Sequence, residues 1–281
     1  MERSKEWAMP RFGKWQIYHP EVQRAGRLAR WYIRLFSCSS YTAHNFFIHM
    51  NALPLKADPQ VILDAGCGKG DFTFYLAEKH PQAQVEGWDK ADADLHELGQ
   101  NILICEQIRE ISGLSNTAFF KKDLRDLATR NRYDLIISIH VLEHIQGNQE
   151  VLKKFYAALR PGGQLHLQMP NVQEGRFPLL EKYTDMNEWV ESEHTGELYS
   201  MDQMLKTLRH IGFTILHQRT DGHFLASLLF DVTETLRRRR MNALYGLVLP
   251  LAKTANRLLR PLDNHRGNLI ILAEKPQAAS A

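Results

Sequence analysis

Two clusters in this chain have residue types and spacing suited to chemistry. The first is "VILDAGCGKG", Val61 to Gly70, an apolar run that meets Asp64 and then Gly66, Gly68 and Gly70 at two-residue intervals. Glycines where a strand turns into a helix permit a tight bend and let a ligand approach backbone N–H groups with no Cβ between. The same glycines can serve the turn alone, so the loop implies a crevice without naming its occupant. Its G-x-G-x-G spacing departs from the G-x-G-x-x-G of a dinucleotide fold, and Lys69 is followed by Gly70 where a P-loop has Ser or Thr. The second cluster, His140-Val141-Leu142-Glu143-His144, spells H-x-x-E-H. On a helix that pentad is a zinc-peptidase signature, but here "YDLIIS" runs straight into it and places it at a strand end. An imidazole there can take a proton from an attacking hydroxyl or amine. Glu143 and His144 can equally cap or pack the turn.

The elements that must position these clusters follow from periodicity. Short apolar runs alternate with helix-period segments from Val61 onward, the pattern of a parallel sheet flanked by helices. Strands are expected over "VILDAG", "AQVEGWD", "TAFFKKD", "YDLIISIH", "QLHLQMP", "FTILHQ" and "GNLIILAEK". "DFTFYLAEKHP" reads as a helix ending before Pro81. "DLHELGQNILICEQIREISG" reads as an amphipathic one with Leu95, Leu98, Ile102, Cys105, Ile108 and Ile111 on one stripe. "QEVLKKFYAALRPGG" should be a helix burying Leu152, Phe155 and Leu159 and stopped by Pro161-Gly162-Gly163. "SMDQMLKTLRHIG" opens on a Ser200…Gln203 capping box and closes at Gly212. Residues 1–55 form a helical, basic arm or lid; 56–281 form one domain, in which 173–262 hold substrate-side elements and an amphipathic helical insertion before the last strand.

In this order and spacing, "VILDAGCGKG", Asp89 ending the second strand, "KKDL", "YDLIISIHVLEHI" and "LRPGGQLHLQMPN" resemble the class I S-adenosylmethionine-dependent methyltransferases over roughly residues 58–172. The resemblance implies a doubly wound, Rossmann-like α/β fold with a seven-stranded, mostly parallel sheet. It implies S-adenosyl-L-methionine as cofactor, held by Asp64, Gly66, Cys67, Gly68 and Gly70 at the loop. Asp89 would accept from the ribose hydroxyls beside Lys90, and Asp123 from the adenine amino group with Leu124 packed beside the ring. Ile139 and His140 would end the fourth strand facing the methyl group, and His140, Glu143 and His144 are the catalytic candidates. Asp89 and Asp123 can alternatively be helix caps, with Asp92, Asp94 and Asp126 close by. A branch resembling ubiquinone-pathway O-methyltransferases has E-x-x-E-H here and has been associated with a metal; this chain has His140 where the first Glu would stand, so no metal is assigned. Glu193 and His194 form a second acid–base pair on the substrate side.

Charge is uneven beneath a net +3. Residues 1–35 hold eight Lys or Arg against three acids and residues 224–260 hold seven against two, leaving −7 elsewhere. An acidic centre without aromatic–basic interleaving argues against nucleic acid as partner. Cys38, Cys67 and Cys105 make no C-x-x-C pair and read as reduced thiols of a cytoplasmic protein. Basic amphipathic residues 224–260 suggest peripheral membrane contact, or a cap helix on the sheet with its arginines in water. The function expected is methyl transfer to a small-molecule or lipid-like acceptor, at oxygen; the alternative is a non-catalytic protein that binds the donor as a sensor or structural module.

Overall fold

β1 (Val61–Ala65) and β4 (Tyr133–Ile139) lie side by side at the middle of a seven-stranded sheet ordered β3-β2-β1-β4-β5-β7-β6. The computed structural model describes residues 53–90, 101–172, 194–220, 241–259 and 267–277, with isolated residues between 18 and 50 and between 228 and 239. The first five strands, completed by β2 (Gln84–Asp89), β3 (Thr117–Lys121) and β5 (Leu159–Met169), run parallel; β7 (Leu269–Glu274) is antiparallel to both β5 and β6 (Thr214–Thr220). All seven residues of β4 are buried, which is why "YDLIISI" is apolar without alternating: both faces of the sheet are covered. On one face Leu63, Ile136, Leu165 and Leu167 pack with Leu152 and Phe155 of α3 (Asn148–Ala158) and Met204 and Leu208 of α4 (Met201–Ile211). On the other, Ile62, Leu135 and Ile137 pack with Leu76 and Ala77 of α1 (Asp71–Lys79). The expected doubly wound sheet is therefore present.

The order in which strands are added reverses between the parallel β1 and β4, since β1 leads outward to β2 and β3 while β4 leads the other way. Ligands of such sheets bind beyond the carboxyl ends of the strands at this switch point. The capping box forms as read: Ser200 Oγ accepts from Gln203 N, Gln203 Oε1 accepts from Ser200 N, and Gly212 ends α4 at φ 116°.

Two expectations are corrected. α2 (Asn101–Ser112) buries Ile104, Cys105 and Ile108, whereas Ile111 is 58% exposed because the helix turns it off the packed face. Leu159 is buried but begins β5: α3 stops at Ala158, and Pro161-Gly162-Gly163 lie within the strand, where the β4–β5 register shifts between Tyr133 and Leu135. "QLHLQM" is buried on both faces, its Gln164, His166 and Gln168 included. Leu95, Leu98, Asp92, Asp94, Glu193 and nearly all of the 1–55 arm lie outside the described residues.

Candidate active site

Asp64 occupies the carboxyl end of β1 and is 2% exposed. Thr73 Oγ1, in the first turn of α1, donates to its Oδ2 at 2.6 Å. Burial pushes the Asp64 carboxyl up to about 7 despite that hydrogen bond, and the nearby Asp89 and Asp71 charges add to the rise. The bend after Asp64 depends on Gly66, at φ 84°, where a Cβ would lie 2.3 Å from a Val141 methyl. Gly68, at φ 52°, differs: a Cβ there would have no heavy atom of the described residues within 4 Å. The loop thus presents bare backbone to open space at Gly68 and closes on the His140 turn at Gly66.

The N–H groups of this loop are largely spoken for. Gly66 N and Cys67 N donate to Trp88 O at 2.8 and 3.0 Å, and Gly70 N donates to Cys67 O at 2.9 Å. Gly68 N donates to Asp89 Oδ2 at 2.7 Å. The sequence reading expected a ligand against these donors; the fold uses them to tie β1 to β2, so what the glycines offer is close approach. Cys67 is buried, its thiol pushed well up by a hydrogen bond with Cys105 and by burial, and Cys105 Sγ donates to Gly68 O at 3.4 Å. Both thiols are packing groups of the loop.

Asp89 ends β2 and Asp123 follows β3, one strand further out. Asp123 caps the short 3-10 turn Leu124–Asp126 by accepting from Arg125 N at 2.8 Å, and Arg125 Nη2 reaches its Oδ2 at 2.6 Å. That hydrogen-bonded guanidinium holds the Asp123 carboxyl below the usual carboxylate range. Exposed Lys90 stands 3.9 Å from the same oxygen. The capping reading of Asp123 therefore describes its local geometry, and an incoming amino group would share an occupied carboxylate. Leu124 is buried in the core with Trp88 and Leu127.

His140 follows Ile139 at the carboxyl end of β4, with its backbone N donating to Gln168 O at 2.9 Å. It adopts φ 54°, left-handed backbone that non-glycine residues rarely take. Leu142–His144 form one 3-10 turn and not a helix, so the pentad lacks the helical register of a zinc peptidase. Glu143 is fully buried; His140 Nδ1 lies 3.0 Å and His144 Nε2 4.0 Å from its Oε1. Burial raises the Glu143 carboxyl, but the two imidazoles more than offset it and the net shift is downward.

His194, which the sequence reading paired with Glu193 on the substrate side, is brought by the tertiary fold to this turn. His144 and His194 rings meet edge to face at 5.3 Å between centroids, and Glu143, His144 and His194 each bring one ligand-type atom within 4.8 Å of the others. One backbone and one side-chain bond dock residues 194–199 as a strap: Gly196 N donates to Glu143 O at 2.8 Å and Thr195 Oγ1 to His144 O at 3.0 Å. Asn148 fastens it from α3, its Nδ2 donating to both Leu142 O and Glu197 O while its Oδ1 accepts from Tyr199 Oη at 2.7 Å. Thr73, Val141, Asn148 and Gly196 were not singled out from sequence, because their roles arise from contacts with distant segments.

A methyltransferase-domain family model matches residues 41–218. The trans-aconitate 2-methyltransferase of Streptomyces coelicolor is 30% identical over 138 residues, covering 49% of this chain and 44% of that protein. The enzyme of the same name from an Azoarcus species is 32% identical over 126 residues, 44% and 45% of the two chains. The matched region thus spans less than half the length of these curated relatives. Among solved structures, the [4+2]-cyclase SpnF superposes with a TM-score of 0.59 at 19% identity, covering 86% of this chain and 84% of the other. Haemonchus contortus phosphoethanolamine N-methyltransferase 2 in complex with S-adenosyl-L-methionine superposes at 0.60 with 16% identity, covering 92% and 60%. With the sheet order, the glycine turn at the switch point and a family model spanning most of its length, this chain belongs to the methyltransferase-domain family.

Proposed function

We propose that this chain transfers a methyl group from S-adenosyl-L-methionine to a hydroxyl oxygen of a small or lipid-like acceptor. The observation that carries the reading is convergence. The bare Gly68 backbone, Asp89 at the end of β2 and the His140–Glu143 pair at the end of β4 all sit at carboxyl ends of strands around the switch point. The donor fits this cradle, since no side chain among the described residues fills the space a Cβ would take at Gly68. Asp89 would accept from the ribose, Gly66 to Gly70 would lie beneath the donor, and ionised Asp64 would favour its positive end. When bound, the donor supplies a methyl group already activated by positive sulfur.

What remains for the protein is alignment, exclusion of water and handling of one proton. Buried Glu143 orients His140 through Nδ1 and stabilises it once protonated, so that His140 removes the acceptor's proton as its oxygen attacks. His144 and the docked His194 wall the acceptor side of that pair. Asp89→Ala should weaken donor binding about tenfold or more in titration calorimetry, and unchanged binding removes the ribose role. His140→Ala should lower kcat about a hundredfold with little change in donor affinity, and wild-type turnover in that variant removes the base.

The relatives' name favours a second reading, a carboxylate acceptor. A carboxylate is ionised at neutral pH and needs no base; the histidines would then bind it, and His140→Ala would raise acceptor KM and spare kcat. Donor binding with no methylated product from a metabolite extract would favour the sensor alternative, as folds of this kind host more than one role.

A further inference from the structure

α5 (Asn242–Leu259) is apolar on both of its faces. Its inward face holds Leu249 and Ala252, packed with Leu229 and Tyr245, and also Lys253, which is only 8% exposed. Facing away, Leu244, Leu247, Leu251 and Leu258 are 46%, 69%, 71% and 73% exposed. At 100° per residue the four leucines fall within an arc of about 60°, opposite the buried face. The described neighbours on that outer half, Ala243, Val248, Thr254 and Ala255, bring no charge. The sequence reading offered peripheral membrane contact or a cap helix with its arginines in water; in the fold Lys253 is inside and leucine is outside.

A helix in contact with water alone does the opposite, so the outer face calls for an apolar surface to receive it. The surrounding charge selects which. From Thr235 to Leu262 the chain holds Arg237 to Arg240, Lys253, Arg257 and Arg260 and no Asp or Glu. Arg239 is exposed at the turn leading into the helix. A second copy laid along the leucine seam would bring two stretches of this net positive charge together. An anionic lipid surface answers both features: acyl chains receive the leucines and head groups receive the arginines. No helix among the described residues is long and apolar enough to cross a membrane, so the contact lies along the surface.

We propose that the outer face of α5, with the arginine run before it, docks this chain onto an anionic lipid interface. The inference does not depend on the methyl-transfer reading. The full chain is floated with phosphatidylcholine vesicles, with and without phosphatidylglycerol, at low and high salt. Wild type should float with the anionic vesicles at low salt and be largely released at high salt. A Leu247→Glu/Leu251→Glu variant with wild-type circular dichroism and melting should lose partitioning by about tenfold or more. Replacing Arg237 to Arg240 by Gln should bring anionic binding down to the neutral-vesicle level; this second variant decides the matter if the leucine variant does not fold. Wild type left unbound by both vesicles overturns the proposal. So does either folded variant binding as wild type, or a dimer in light scattering that Leu251→Glu disrupts while vesicles bind nothing.

Discussion

Asp64 shows how one residue's surroundings set a measurable property. Its carboxyl stands at about 7 instead of 3.8, burial being the main cause. A raised acid holds its proton in the folded state after the unfolded chain has released it. Its contribution to stability is therefore complete below pH about 4 and is lost as pH climbs through about 7. The loss is on the order of 4 kcal/mol at the alkaline limit. Asp64→Asn keeps an acceptor for Thr73 and removes the buried charge, so it should melt higher than wild type at pH 8. If the donor's positive end draws on ionised Asp64, binding near pH 7 should release a proton, seen as a buffer-dependent calorimetric enthalpy that the Asn variant lacks. A buffer-independent enthalpy in wild type removes Asp64 from the donor site. Asp64, Asp89 and the H-x-x-E-H pentad were all visible in the sequence. That Glu143 is fully buried and 3.0 Å from His140 was not, because a local string does not tell which side of a turn faces the core.

At the scale of elements, the His194 strap is the part that reading along the chain did not assemble. A Cβ on Gly196 would lie 2.5 Å from Ile145 O, 2.6 Å from Leu142 O and 3.0 Å from Glu143 O, all backbone atoms that cannot swing aside. Gly196→Ala should therefore push the strap off the 3-10 turn, costing roughly 2–4 kcal/mol in urea unfolding and lowering turnover about tenfold or more. Ser200→Ala, a few residues on, removes one side of a capping box and should cost about 1 kcal/mol while sparing turnover. Equal effects of the two on turnover would mean that the strap is only structural. The capping box was legible because its partners are three residues apart, whereas Gly196 meets residues some fifty positions away, which no local pattern encodes.

For the whole molecule, the crevice proposed for the donor lies at the ends of β1, β2 and β4, strands that join only in the folded sheet. A ligand that binds this state and not the unfolded chain stabilises it by about 2.7 kcal/mol at one hundred times its Kd. S-adenosyl-L-methionine should accordingly raise the melting temperature by a few degrees, and Asp89→Ala should need a correspondingly higher concentration for the same shift. A shift produced by NAD and not by this donor would reassign the crevice. The charge division between the basic flanks and the acidic remainder belongs to this scale too, and α5 gives one flank an orientation that net charge does not.

The sequence by itself determined the order of strands and helices, the glycine turn and the acids that close the first strands. These rest on periodicity and on residues within a few positions of one another, where backbone sterics and burial on both faces leave few alternatives. Tertiary structure alone decided that the loop's N–H groups serve β2, that Val141 closes over Gly66, that His194 stands against His144, and that α5 turns leucine outward and Lys253 inward. Each of these depends on which distant surface meets which, and an amphipathic pattern states that a helix has two faces without stating what lies against either one.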